Sequence, residues 1–126
     1  DRYDEFLDYI GHVDINQVPS LYQKIDFLFM PTLLEVFSTT YLEAMYMEKP
    51  IISSDMGFAR DICGDAALYN SPLDPIDYAR SIDKLYRDEK LRIKLIEKGN
   101  QNLIRFGDSL QRTKAYIKII ENTIKQ

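Results

Sequence analysis

Two short runs, "DFLFMP" at residues 26–31 and "PIISSD" at residues 50–55, constrain this chain more than any other feature in it. Neither shows the period-two alternation of a strand with one wet face. Each reads instead as a strand covered on both faces. Between them lies a helical segment, residues 39–47, which ends at Glu48-Lys49-Pro50 because proline cannot continue it. A buried strand, a helix and a second buried strand in succession require a parallel sheet with right-handed crossovers.

The same alternation runs through the first half. "EFLDYIGHV" (residues 5–13) reads as a strand ending at Gly11. "NQVPSLYQKI" (16–25) reads as a helix with Asn16 as N-cap and Val18, Leu21, Tyr22 and Ile25 on one face. "FARDICGD" (58–65) is a short helix or turn closing at Gly64, and "AALYN" (66–70) a last short strand. The second half is helical. Asp74 is an N-cap followed by Pro75, with Asp77 three residues after the cap, and Ile76, Ala79, Ile82 and Leu85 share a face. A further helix starts on Asp88, carries Leu91 and Leu95, and is expected to break at Gly99. Leu110, Thr113, Ile117, Ile120 and Ile124 line the last helix. The fold class is therefore α/β, with a Rossmann-like parallel sheet and a helical C-terminal half.

The totals narrow the function classes. The chain has 126 residues and a net charge of −4, so it holds one domain at most and lacks a basic nucleic-acid footprint. A single cysteine, Cys63, cannot form an intramolecular disulfide, which fits a reducing compartment. Cys63 reads as a small buried residue, and the one histidine, His12, as structural or surface-lying. The nine tyrosines read mostly as packing.

The chemistry concentrates in "PTLLEVFSTTYLEAM" (31–45), where Glu35 and Glu43 flank Ser38-Thr39-Thr40. In open parallel sheets ligands sit beyond the carboxyl ends of the strands. The backbone amides of Phe37, Ser38 and Thr39 open the following helix, and free amides with the positive end of the helix dipole make an anion site. Two carboxylates beside an anion site suit a ligand that also carries hydroxyls, because an ionised carboxylate only accepts hydrogen bonds. Phosphate between two polyols is the shape of a nucleotide-sugar. By themselves the two glutamates also fit a loop charge and a solvated helix charge, and the hydroxyl cluster also fits a simple N-cap.

The ordered set of segments "YIGHVD", E-x7-E before "AM", "KPIISSD" and "CGDAALYNSPLDP" resembles the donor half of family 4 (group 1) glycosyltransferases with the GT-B fold. The resemblance covers nearly the whole chain. It implies a retaining hexosyltransferase-type enzyme that moves a sugar from a nucleotide-sugar donor to a glycan or lipid-linked acceptor, as in polysaccharide biosynthesis. Glu35 then matches the carboxylate on the donor sugar hydroxyls. Glu43 matches the one that holds the ribose. Phe37, Ser38 and Thr39 match the loop whose amides meet sugar and diphosphate, and Thr40 adds a hydroxyl. No metal or cofactor is implied. The implied location is cytoplasmic, with peripheral contact at the inner face of the cell membrane as a further expectation. Two other readings have a place beside this one: a non-catalytic nucleotide- or sugar-binding module, and a nucleotide-sugar epimerase of GT-B architecture. A receiver-like phosphorylation domain with Asp55 as acceptor is disfavoured, because no strand is expected after "AALYN".

The chain departs from the family pattern at Val36, where glycine is frequent, and at Phe106-Gly107-Asp108, where an aromatic residue commonly follows a serine. A β-branched Val36 requires ordinary backbone angles in the site loop. The family's phosphate-binding Arg and Lys, its glycine-rich loop and its acceptor domain are expected upstream of Asp1, so residues 1–126 are expected to be a partial donor domain. In the strand order 3-2-1-4-5-6 of this architecture, the "EFLDYIGHV" and "DFLFMP" strands are third and fourth, and the first lies between them. The chain alone is therefore expected to be inactive, and to be a dimer or a rearranged sheet with weak nucleotide affinity. Titration with nucleoside diphosphates alongside light scattering checks this. A monomer that binds at low micromolar concentration, about −8 kcal/mol, would overturn it.

Overall fold

The computed structural model describes residues 5–124. A 3-10 turn, Ile15–Gln17, leads into α1 (Val18–Lys24), followed by β1 (Leu28–Met30), α2 (Thr39–Tyr46), β2 (Ile51–Ser54), α3 (Gly57–Cys63) and β3 (Ala67–Asn70). The helical half comprises α4 (Pro75–Arg87), α5 (Glu89–Leu103), a 3-10 turn at Ile104–Phe106 and α6 (Ser109–Ile124). The sheet is parallel with order β1-β2-β3, and Leu28 pairs with Ile51, which pairs in turn with Ala67. This is the 4-5-6 run of the expected order. It is a Rossmann-like α/β arrangement.

β2 is the centre. All four of its residues are fully buried, as a strand covered on both faces must be. Ile51 joins Tyr22, Tyr41, Met45 and Ile62 under α1, α2 and α3. Ile52 faces the other way, onto Tyr78 and Leu85 of α4 and Leu95 of α5. Burial of each isoleucine stabilises the fold by about 1.5–3 kcal/mol.

Several expectations need correcting. Residues 5–13 form no strand, and Phe6, Leu7, Tyr9 and Ile10 are exposed. A strand needs a neighbour to take its N–H and C=O groups, and no strand among the described residues lies beside this segment. Among the described residues β1 pairs with β2 alone, so the sheet is not rearranged by a pairing of residues 5–13 with β1. β1 is also not covered on both faces: Phe29 is 44% exposed and meets Tyr78 of α4 edge-on. Asn16 does not cap α1. Asp14 accepts from the Asn16 amide and caps the 3-10 turn, while Gln17 occupies the N-cap of α1 without a side-chain bond. On α4, Leu85 is buried but Ile76 and Ile82 are exposed, and Tyr78 takes their place in the core. Asp74 caps α4 as expected, at 2.9 Å from the Ile76 amide, whereas Asp77 turns outward to accept from the Ser71 amide.

α5 does not break at Gly99. The helix runs through it because Gly99 lies against Met45 of α2: a Cβ there would stand 3.1 Å from Met45 Cγ. The glycine is a contact point between helices, not a terminator. Asn102 Nδ2 continues the join by donating to the Ile62 carbonyl. Gly99→Val should therefore lower stability by about 1–3 kcal/mol through overpacking. Urea unfolding measures it, and an unchanged midpoint would show that α2 and α5 are not closely packed.

Candidate functional site

The segment between Met30 and Thr39 leaves the carboxyl end of β1 and enters α2. Its backbone has no residue at positive φ, so Val36 sits in ordinary angles as its β-branch requires, with its side chain 95% exposed. Glu35 is half-buried. Phe37 leans on Phe106, ring centroids 6.1 Å apart and tilted by 60°. The departure at Phe106-Gly107-Asp108 thus supplies an aromatic support for the loop. Gly107, at φ 61°, makes the turn that lets Asp108 cap α6 at the Gln111 amide.

Ser38 is the N-cap residue of α2, extended at φ −108° and ψ 118°, and its side chain makes no capping hydrogen bond. The Ser38 hydroxyl is therefore not a simple N-cap, and among the described residues no side chain closes the amides of the first turn of α2. Those amides and the positive end of the helix dipole lie at the carboxyl end of the sheet, between Glu35 and Glu43 in the chain. Ser38 is 8% exposed, Thr39 is exposed and Thr40 half-buried. Glu43 is exposed, and its Oε2 lies 3.3 Å from the Tyr22 hydroxyl, which also reaches the Thr40 carbonyl at 3.2 Å.

Beneath the loop runs a polar network that the sequence reading did not single out. The Tyr41 hydroxyl lies 2.8 Å from Ser53 Oγ, and Ser53 donates to the Met30 carbonyl at the end of β1. On the opposite face Ser54 meets the Tyr78 hydroxyl at 2.7 Å. Asn70 joins in by donating to the Ser53 carbonyl and accepting from Ser81. Burial raises the pKa of Tyr41; its bond to Ser53 pulls the other way, and Glu35 is among the charges that add to the rise. The signal was present in "IISS", since two hydroxyls in a fully buried strand must find partners.

Beyond β2, Arg60 grips Asp55 through Nε and, at 2.8 Å, through Nη2, and its guanidinium lies 4.3 Å over the Tyr69 ring. This hydrogen-bonded pairing holds the Asp55 carboxyl below its usual range. Among the described residues no strand follows β3, as the receiver-like reading would need. His12 is exposed. No helix among the described residues is long and apolar enough to cross a membrane.

Cys63 is fully buried, and burial pushes its thiol up to about 12. It should resist thiol reagents at pH 8 in the folded protein and react once urea unfolds it; rapid labelling without denaturant would contradict the packing. The thiol also sets a sign. Above its ordinary pKa of 9.0 the unfolded thiol ionises while the folded one stays protonated until about 12. Its contribution to stability is whole below pH 9 and falls as pH rises through that window.

The sequence profile described as "Glycosyl transferases group 1" matches residues 5–102. Among curated proteins, the chain is 30% identical over 99 residues to an uncharacterized glycosyltransferase of Methanocaldococcus jannaschii, covering 75% of this chain and 28% of that protein. It is 26% identical over 112 residues to the N,N'-diacetylbacillosaminyl-diphospho-undecaprenol alpha-1,3-N-acetylgalactosaminyltransferase of Campylobacter jejuni, covering 87% of this chain and 30% of that protein. Among solved structures, a sucrose-phosphate synthase from Thermosynechococcus elongatus superposes with a TM-score of 0.82 at 19% identity, over 96% of this chain and 32% of the other. The chain spans less than a third of the length of the curated relatives it matches.

Proposed function

Because the chain belongs to the group 1 glycosyl transferases, we propose that it supplies part of the donor site of a retaining glycosyltransferase that moves a sugar from a nucleotide-sugar to a glycan or lipid-linked acceptor. The observation that carries this reading is the first turn of α2, left without a side-chain cap at the carboxyl end of β1 and flanked by Glu35 and Glu43. The Campylobacter relative, whose name specifies an undecaprenol-linked substrate, supports a lipid-linked acceptor.

In this reading the amides of Phe37, Ser38 and Thr39 face the diphosphate, with the Thr40 hydroxyl beside them. As the acceptor oxygen attacks the anomeric carbon from the face the leaving group departs, the bond to the diphosphate oxygen breaks, negative charge gathers there, and that oxygen takes the proton of the acceptor hydroxyl. Fixed amides and the helix dipole stabilise that charge without reorganising. Glu35 accepts hydrogen bonds from the sugar hydroxyls and holds the anomeric centre in place. Glu43, further along α2, accepts from the ribose hydroxyls. The reading gives the step no metal or cofactor. It puts the enzyme in the cytoplasm, in contact with the membrane where a lipid-linked acceptor is presented.

A screen of the full-length protein against nucleotide-sugar donors tests this; no binding or turnover with any of them would end it. The division of labour makes a second test. Glu35→Gln should lower kcat by about tenfold to a hundredfold, through loss of a charged hydrogen bond at the reacting sugar. Glu43→Gln should weaken nucleotide binding by about 1.5–3 kcal/mol. Equal effects of the two changes on free nucleotide affinity would refute the assignment.

A further inference from the structure

We propose that Tyr22 is a positioning residue for the donor site: its hydroxyl holds the Glu43 carboxylate, and the first turn of α2 with it, in the arrangement that meets the nucleotide. The inference rests on the reading of Glu43 as the ribose carboxylate. Its own ground is geometric. Tyr22 lies on α1, is 5% exposed, and packs in the core that includes Tyr41, Ala44 and Met45 of neighbouring elements. A phenylalanine would fill that space equally well. What the core does not explain is the hydroxyl, which stands 3.3 Å from Glu43 Oε2 and 3.2 Å from the Thr40 carbonyl oxygen.

One phenolic proton serves both acceptors, so it links them. Glu43 is otherwise an exposed, rotamer-rich side chain, and ordering it on ligand binding costs affinity. A donor fixed in the core orders it beforehand. With Oε2 engaged, Oε1 is left to accept from a ligand hydroxyl. The contact with the Thr40 carbonyl ties the same hydroxyl to the turn whose amides open α2. Burial, and then the charge of Glu43, raise the pKa of Tyr22, so the phenol stays protonated and keeps donating.

The test is a double-mutant cycle in the full-length protein, with uridine, guanosine and adenosine diphosphates as calorimetric probes and the tightest binder used throughout. Tyr22→Phe is expected to weaken its affinity about fivefold and to raise the donor KM similarly, with kcat nearly unchanged. In a Glu43→Ala background the same change should cost much less, because the hydroxyl then has no side-chain oxygen at position 43 to orient and only the Thr40 carbonyl to hold. Wild-type affinity in Tyr22→Phe would overturn the proposal, and so would an equal loss in both backgrounds, which a merely structural tyrosine produces. If Glu43→Ala alone leaves affinity unchanged, the ribose role fails and the positioning role falls with it. If no diphosphate binds the wild-type protein, the donor-site reading itself is what has failed.

Discussion

Everything in this chain is arranged around a four-residue strand with no exposed surface. β2 presents Ile51 and Ser53 to one layer of helices and Ile52 and Ser54 to the other. The two isoleucines join the layers, and the two serines impose a demand. A buried hydroxyl left without a partner costs about 1–3 kcal/mol, and each serine is met by a tyrosine from a different layer, Tyr41 on α2 and Tyr78 on α4. Those hydrogen bonds fix where the helices sit along the strand, which hydrophobic contact alone specifies only loosely.

The candidate site inherits its geometry from this arrangement. Ser53 reaches across to the Met30 carbonyl, the last of β1, so the loop that leaves β1 departs from a pinned point. Tyr41, on the same hydroxyl pair, anchors the first half of α2. The loop carrying Glu35 is thus held at both ends by one buried network, while Val36 at its crest is almost wholly exposed. An exposed surface segment thus has a rigid base.

Much of this could be read from the residues alone. The two unalternating runs identified the parallel sheet, and Pro50, Gly64 and Asp74 marked element boundaries where the structure has them. The first turn of α2 fell where the spacing placed it. The failures have physical causes. The apolar residues of 5–13 make a strand only where a neighbour receives its hydrogen bonds, and pairing is not a local property. Gly99 looked like a helix end because local propensity cannot show that another helix needs the space of its missing Cβ. Tyr22 and Tyr41 were counted as packing because their rings do pack; their hydroxyl partners, Glu43 and Ser53, are distant in sequence and visible only in three dimensions.

The strand order also bears on how the chain acquires this structure. Each strand pairs with the one that precedes it in sequence, β1 with β2 and β2 with β3. Each crossover can therefore be completed as soon as the next strand is available, without waiting for a segment further along the chain. The seam that joins α5 to α2 and α3 is different: there Gly99 lies against Met45 of α2 and Asn102 donates to the Ile62 carbonyl of α3, across a long stretch of sequence. It turns a succession of locally formed crossovers into one cooperative unit.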